Sequence, residues 1–207
     1  MVKILKFPDG FLWGSSTSAY QVEGGIENDW STKYPAGRAC DHYHLYEQDF
    51  DWLEKLNQNV FSFSIEWSRV EPEQGKFDQK EIEHYRNVLL SLKRRKIKSI
   101  VVLWHWTNPK WFMARGGWAN KESVKYFEQY VKIIVEQLGD LIDFWSTLNE
   151  PMPYLLAYTT SRFPPFKKRN IFNLFKVINN LVKAHQKSYQ VIHERYPAAQ
   201  VGLEKIN

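Results

Sequence analysis

The chain has 207 residues, of which 43% are hydrophobic and 25% are charged, and its formal net charge is +5. This balance is typical of a folded globular domain and excludes a disordered chain. No uncharged stretch approaches the roughly 20 apolar residues of a transmembrane helix, and no signal peptide is recognised. The single cysteine, Cys40, cannot form an internal disulfide and is expected to be a small buried residue. We therefore expect a cytoplasmic protein.

Short apolar segments alternate with longer segments of helical periodicity, a pattern that predicts β–α units and a parallel sheet. A helix is expected to start after the cap Asn120 and to end at Gly139 in the left-handed conformation, and Pro197 stops the last helix. In chain order, the predicted elements are strand 11–15, helix 45–56, strand 60–65, helix 79–95, strand 99–103, helix 120–139, strand 144–148, helix 171–195 and strand 200–203.

The domain organisation follows from this order of elements. No linker or low-complexity segment interrupts it, so residues 1–207 are expected to form a single domain. A closed (β/α)₈ barrel, the TIM barrel, uses eight strands and typically about 250 residues. The five predicted strands therefore indicate an α/β fold that corresponds to the N-terminal half of such a barrel.

The carboxyl end of the fourth predicted strand carries a candidate catalytic residue. In parallel α/β barrels, reactive groups lie where strands end, and here the sequence is Thr-Leu-Asn-Glu-Pro at 147–151. Glu150 could protonate a leaving oxygen if its environment keeps it protonated. Asn149 could bind a sugar 2-hydroxyl. The alternative is an Asx-type turn followed by a surface glutamate.

Polar and aromatic residues also follow the first and third predicted strands. Gln21 follows the first strand, and His105 and Trp106 follow the third. Amide and imidazole groups can bind ring hydroxyls, and an indole offers an apolar face to a pyranose. Each has a structural alternative, because a strand-end histidine is commonly structural and a tryptophan is commonly a core residue. Their position on the same predicted rim as Glu150 favours a sugar site.

Two further groups of residues receive a non-catalytic interpretation. The basic clusters 93–98 and 167–169 lack an aromatic-interleaved nucleic-acid motif, and the first lies at a helix end where cations are favoured. No nucleic-acid partner is therefore expected. His42 and His44 have no third strong donor nearby in the sequence, so no metal site is expected.

Six segments resemble glycoside hydrolase family 1, the family of retaining β-glucosidases, β-galactosidases and 6-phospho-β-glycosidases. They are FLWGSSTSAYQVEG at 11–24, ACDHYHLYEQDF at 39–50, FSIEWSRVEPEQGKFD at 63–78, HWTNPKWF at 105–112, GGWANKESVKYFEQY at 116–130 and TLNEPMPY at 147–154. The resemblance implies a (β/α)₈ barrel, β-linked sugar substrates and no cofactor. It implies that Glu150 is the acid/base and that a glycone pocket is lined by Gln21, His105, Trp106 and Asn149. It also implies that Tyr158 and the turn at 163–165 shape the cleft entrance.

The sequence departs from the family at two points. Family members are about twice as long, and their nucleophilic glutamate follows a seventh strand that this chain does not contain. The family usually has an arginine beside the nucleophile, where this sequence has Ser62. Glu66 is expected to form a structural ion pair rather than to replace the nucleophile, and Arg69 is retained.

Two functions are therefore considered. In the first, the chain contributes the acid/base half of a β-glycosidase and needs a C-terminal half with the nucleophile, either as another chain or as further sequence. In the second, it is a catalytically inactive carbohydrate-binding or scaffold protein, whose open half barrel self-associates. The sequence does not distinguish among the possible glycones and aglycones.

Overall fold

The computed structural model describes residues 6–160, 163–164, 166 and 171–205. Five strands and eight α-helices are found in this part of the chain. In order, they are β1 (Gly14–Ser16), α1 (Ala19–Val22), α2 (His42–Lys55), β2 (Val60–Ser64), α3 (Trp67–Val70), α4 (Gln79–Arg94), β3 (Lys98–Val102), α5 (Lys110–Ala114), α6 (Ser123–Leu138), β4 (Phe144–Asn149), α7 (Pro151–Tyr158), α8 (Ile171–Arg195) and β5 (Gln200–Glu204).

The strands form one parallel sheet in the order β1-β2-β3-β4-β5. Side chains alternate across each strand. On β2, Phe61 packs toward the helices, where its ring centroid lies 5.3 Å from that of Phe50, while Ser62 points to the opposite face. A sequential parallel sheet with one helical layer is the N-terminal half of a (β/α)₈ barrel. This is the fold class that the sequence predicts.

The first strand is shorter than predicted, because a side chain replaces part of its ladder. Strand 11–15 was expected, whereas β1 covers Gly14–Ser16. The Asn59 side-chain oxygen accepts a hydrogen bond from the Trp13 backbone N–H at 2.7 Å, and its amide nitrogen donates to the Phe11 carbonyl at 3.0 Å. Before β1, the Asn59 side chain thus takes the place of ladder partners for the Trp13 N–H and the Phe11 carbonyl, whereas the Trp13 carbonyl accepts from the backbone N–H groups of Asn59 and Val60. The other four strands match their predictions within one residue at each end.

Two predicted ends of α6 are wrong. Asn120 does not cap the helix, because its side chain accepts from the Glu122 backbone N–H in the preceding turn at 2.9 Å, and the helix begins at Ser123. Gly139 has φ −62° and is not left-handed. Glycine is needed there for packing, since a Cβ on Gly139 would lie 2.3 Å from the Tyr196 ring.

The core lies between the sheet and its helices and is rich in aromatic residues. The Trp67 ring stacks on Tyr130 at 5.3 Å between ring centroids, and Trp104 contacts Tyr154 edge-on at 4.8 Å. Tyr158 is buried in this core, so the expectation that it shapes a cleft entrance is wrong. Burial of rings of this size supplies much of the apolar area that stabilises the fold.

Some expectations about the surface also need correction. Cys40 is exposed rather than buried, because it lies in the turn before α2. In the basic cluster 93–98, Arg95 forms ion pairs with Glu47, Asp51 and Glu54 around α2. The second basic cluster, 167–169, lies outside the described residues. None of the helices in the described part of the chain is long and apolar enough to span a membrane.

The loop between α1 and α2 depends on a close backbone contact at Gly24. Gly24 and Gly25 both have positive φ, of 78° and 63°. A Cβ on Gly24 would lie 2.2 Å from the Arg38 carbonyl oxygen, whereas a Cβ on Gly25 would meet open space. Alanine at either position carries a left-handed penalty of about 1–2 kcal/mol, and only Gly24→Ala adds a backbone clash.

We therefore expect Gly24→Ala to lower the free energy of unfolding by about 3 kcal/mol or more, and Gly25→Ala by about 1 kcal/mol. Urea denaturation monitored by tryptophan fluorescence measures both changes. An equal loss in the two variants would show that the contact with Arg38 does not restrain the loop.

Candidate active site

A pocket opens at the carboxyl-terminal rim of the sheet, beside the ends of β3 and β4. Its volume is about 250 Å³. Gln21 from α1, His105 and Trp106 after β3, and Glu150 after β4 all line it. The structure therefore brings these four predicted residues together at one rim. The fifth, Asn149, is buried directly beside the pocket.

Two pocket residues have strained backbone conformations. Trp106 has φ 72° and Glu150 has φ 43°, both in the left-handed region that non-glycine residues rarely adopt. Such strain costs about 1–3 kcal/mol and is found mainly at functional sites. At Glu150 it redirects the chain between the end of β4 and the start of α7 at Pro151, which turns the carboxyl toward the rim.

Hydrogen bonds connect the residues after β3 with those after β4. The Trp106 indole N–H donates to the Asn149 carbonyl at 2.9 Å, and the Asn149 side-chain nitrogen donates to His105 Nε2 at 3.1 Å. Burial lowers the pKa of His105 to about 4. The imidazole is therefore neutral near pH 7, and the bond from Asn149 assigns its proton to Nδ1. Asn149 does not form the Asx-type turn that was the alternative.

Two buried N–H donors near the pocket have no hydrogen-bond partner among the described residues. They are Nδ1 of His105 and the indole nitrogen of Trp30, which also lines the pocket. A buried donor without a partner costs roughly 1–3 kcal/mol. A ligand with several hydroxyl groups would satisfy such donors.

A clamp between two loops holds Trp30 at the pocket. The Asp29 carboxylate accepts hydrogen bonds from the Asn108 backbone and side-chain nitrogens, both at 2.8 Å, and the Asp29 N–H donates to the Asn108 carbonyl at 3.0 Å. Burial raises the pKa of Asp29 to about 8. Asn108 also accepts from the Trp104 indole at 3.0 Å. The loop after β1 is thereby fixed to the loop after β3.

The predicted ion pair of Glu66 is wrong. Glu66 is buried and accepts hydrogen bonds from the hydroxyls of Ser68 at 2.6 Å and Thr107 at 2.9 Å. Thr107 also lines the pocket. Burial raises the pKa of Glu66. Arg69 instead pairs with Glu23, with Nε 2.8 Å from a carboxylate oxygen. Both carboxylates are therefore engaged in structural contacts.

Ser62 contacts a residue at the far side of the sheet. Its hydroxyl donates to Oε1 of Glu204 at 3.3 Å, although the two residues are 142 positions apart. Burial raises the pKa of Glu204, and the charge of Glu150 raises it further. The interior face of β2 thus carries a serine next to a carboxyl group.

Sequence reasoning missed Trp30, Thr107 and Glu204. Trp30 lies in a loop with no periodic signal, and its backbone N–H is held by the Asn28 side chain at 2.9 Å. An Asn-Asp-Trp turn after the first strand was the available signal. Phe163 belongs to the turn that was expected to shape the cleft entrance, and its ring centroid lies 4.7 Å from that of Trp30 and 5.3 Å from that of Trp106. Pro165, from the same predicted turn, lies outside the described residues.

The two histidines near Cys40 have separate protein partners. Nδ1 of His42 is 2.6 Å from Asp49, and Nδ1 of His44 is 2.6 Å from Asp41. No group of three or more potential metal ligands is found in the described part of the chain. These histidines therefore have structural explanations.

The half barrel gathers carboxyl, amide, imidazole and indole groups in one pocket at the carboxyl-terminal rim, where (β/α)₈-barrel enzymes hold their reactive groups. The model of glycosyl hydrolase family 1 matches residues 4–206 of this sequence. The chain therefore belongs to glycosyl hydrolase family 1.

Curated relatives agree with this family. The chain is 33% identical to 1,4-beta-D-glucan glucohydrolase from Thermotoga neapolitana, over 96% of this chain and 51% of the relative. It is 32% identical to beta-glucosidase A from Thermotoga maritima, over 98% of this chain and 49% of the relative. The chain thus spans about half the length of the curated relatives it matches.

Solved structures show the same relation. The beta-glucosidase from Thermotoga maritima in complex with castanospermine matches with a TM-score of 0.93 and 32% identity, covering 99% of this chain and 50% of that one. The beta-glycosidase from Pyrococcus horikoshii matches with a TM-score of 0.91 and 40% identity, covering 97% and 48%. The fold therefore corresponds to about half of these barrels.

Proposed function

We propose that this chain supplies the acid/base half of a retaining β-glucosidase, with Glu150 as the proton donor to the leaving oxygen. The observation that carries the proposal is the shared pocket of Glu150, Gln21, His105 and Trp106. A general acid must lie next to the leaving group while neighbouring groups hold the sugar. A rim pocket with these groups meets both requirements.

The roles of the neighbouring residues follow from their chemistry. Gln21 and the Nδ1–H of neutral His105 bind ring hydroxyls, and Trp106 packs on an apolar sugar face. Asn149 is held between His105 and Trp106, so its amide is oriented for a contact that strengthens in the transition state. The orphaned donors on His105 and Trp30 favour a polyhydroxylated ligand.

The relatives support β-linked glucosides as the substrate class, because their names are beta-glucosidase A and 1,4-beta-D-glucan glucohydrolase. They favour an enzyme over an inactive scaffold. The retaining reaction needs a second carboxylate as nucleophile, about 5–5.5 Å from the acid. We propose that a C-terminal half barrel supplies it.

The same complementary half barrel is the proposed partner, with a second copy of this chain as the alternative. β1 and β5 are the edges of the described sheet, and both are largely exposed. A closed barrel leaves no edge unpaired.

We further propose that residues 1–207 act as one domain, supported by the single sheet, and that the protein is cytoplasmic, supported by its lone free cysteine.

Binding of methyl β-glucoside to the chain tests the glycone half of the proposal. We expect the sugar to shift the NMR signals of the Trp30 and Trp106 indole N–H groups, because both indole side chains line the pocket. His105→Gln is expected to weaken binding about tenfold, the loss that corresponds to one hydrogen bond of about 1.4 kcal/mol.

His193→Gln is the matched control, because His193 lies in the last turn of α8 and bonds to the Tyr189 carbonyl. It should leave the affinity unchanged. Sugar-induced shifts that avoid both indoles, or an equal loss of affinity in the two histidine variants, would contradict the assignment of the pocket.

A further inference from the structure

The last strand places a carboxyl group beside Glu150. Glu204 ends β5 and pairs in register with Asn149 of β4. The Glu150 backbone N–H donates to the Glu204 carbonyl at 3.0 Å. The register between β4 and β5 shifts between Ser146 and Asn149, and an irregularity of this kind redirects side chains at a strand end. The two glutamates are therefore direct neighbours across a strand pair.

Ser62 fixes the orientation of the Glu204 side chain. The hydroxyl of Ser62, which is buried on β2, donates to Oε1 of Glu204 at 3.3 Å. Because this bond reaches from β5 to β2, the Glu204 carboxyl lies on the interior face of the sheet. Glu204 is not among the residues that line the rim pocket, whereas Glu150 is.

The surroundings of Glu204 disfavour its charged form. Burial is the main cause of its raised pKa; the bond from Ser62, next in size, lowers the pKa, and the charge of Glu150 raises it by a smaller amount. On the far side of β4, α8 contributes His185, which pairs with the Thr147 hydroxyl at 2.7 Å and whose pKa is lowered by burial. Lys205, the next residue along the chain, is exposed.

We propose that Glu204 is a further positioning residue of the candidate site, whose carboxyl, oriented by Ser62, is electrostatically coupled to Glu150 across the pairing of β4 with β5. A negative charge nearby disfavours ionisation of a carboxyl, and the charge of Glu150 acts on Glu204 in this way. Glu204 acts through Glu150, since only Glu150 faces the pocket. The role of Glu204 in catalysis rests on the proposed function, but the electrostatic coupling between Glu204 and Glu150 can be measured without any activity.

The experiment is an NMR titration of the chain labelled with ¹³C at the glutamate carboxyls, with Glu204→Gln used to assign the Glu204 signal. Glu150→Gln should lower the pKa of Glu204, because it removes a nearby negative charge. Ser62→Ala should raise the pKa of Glu204, because it removes the donor that stabilises the carboxylate. Glu194→Gln, an exposed position on α8, should have no effect.

Two results would overturn the inference: an unchanged Glu204 titration in Glu150→Gln, or an unchanged or lowered one in Ser62→Ala. Ser62 lies on β2 and Glu150 follows β4, so the two substitutions affect different parts of the sheet. If one variant fails to fold, the titration of the other still tests the inference. Folding of each is checked by near-ultraviolet circular dichroism. If methyl β-glucoside binds the pocket but the coupling is absent, only this inference fails. If the coupling is present but no sugar binds, only the proposed function fails.

Discussion

The chain on its own is expected to show no measurable hydrolysis of aryl β-glucosides, and activity is expected to appear when a C-terminal half barrel completes the site. Glu150 is the only carboxylate among the described residues that line the pocket. A general acid alone contributes roughly 10²–10⁴-fold, which does not replace a covalent nucleophile. Initial rates of the chain alone and of the chain co-expressed with the C-terminal half of Thermotoga maritima beta-glucosidase A measure the difference.

In the completed barrel, Glu150→Gln should reduce the rate about 10²–10⁴-fold for a β-glucoside with a poor leaving group. A nitrophenyl leaving group needs little protonation, so the loss with that substrate should be much smaller. Exposed Glu194→Gln is the control and should leave both rates unchanged. Ordinary glycosidase turnover by the chain alone, abolished in Glu150→Gln, would refute the claim that half of the site must come from elsewhere.

The second large effect concerns association. The isolated chain is expected not to be a compact monomer, because β1 and β5 both present unpaired backbone groups at the sheet edges. Apolar side chains are exposed at these edges, with Trp13 at 47% beside β1 and Leu203 at 42% on β5. Light scattering should therefore give a mass well above 24.7 kDa that rises with concentration.

A charge at either edge should oppose this association, because a lysine ammonium is strongly disfavoured in a paired interface. Trp13→Lys and Leu203→Lys are expected to lower the scattering mass. Trp52→Lys is the matched control, since Trp52 is also exposed, at 60%, but lies on α2 in the helical layer. A sharp monomer at every concentration, with fixed aromatic circular dichroism signals, would instead show a half barrel that is stable alone.

The order of strands and helices could be predicted from the sequence because it depends on local periodicity. The apolar runs of β2 to β4 are typical of strands in a parallel sheet, and the apolar residues of α4 and α6 repeat at the spacing of one buried helix face. The clustering of the rim residues could be predicted from the same order of elements, since parallel strands place their carboxyl ends at one edge of the sheet. Gln21, His105 and Glu150 could therefore be predicted to meet without any knowledge of their distances.

Contacts between distant segments could not be predicted in this way. The local signal at Gly139 indicated a helix cap, but the residue is glycine because the Tyr196 ring packs against it. Glu66 was expected in an ion pair, yet the hydroxyl of Ser68 on α3 and that of Thr107 after β3 satisfy its carboxylate. In both cases a partner lies far away in the sequence, Tyr196 for Gly139 and Thr107 for Glu66, and short-range patterns contain no information about it.

The sequence by itself determined the half-barrel class and the rim that carries Glu150, because both follow from the spacing of apolar residues and from the direction of the strands. Only the tertiary structure decided how that rim is built. It placed the Trp30 indole at the pocket through the clamp between Asp29 and Asn108, and it brought Glu204 to Ser62 across the interior of the sheet. Such contacts depend on strand stagger, on a register shift and on loop packing, which are properties of the assembled sheet rather than of any segment.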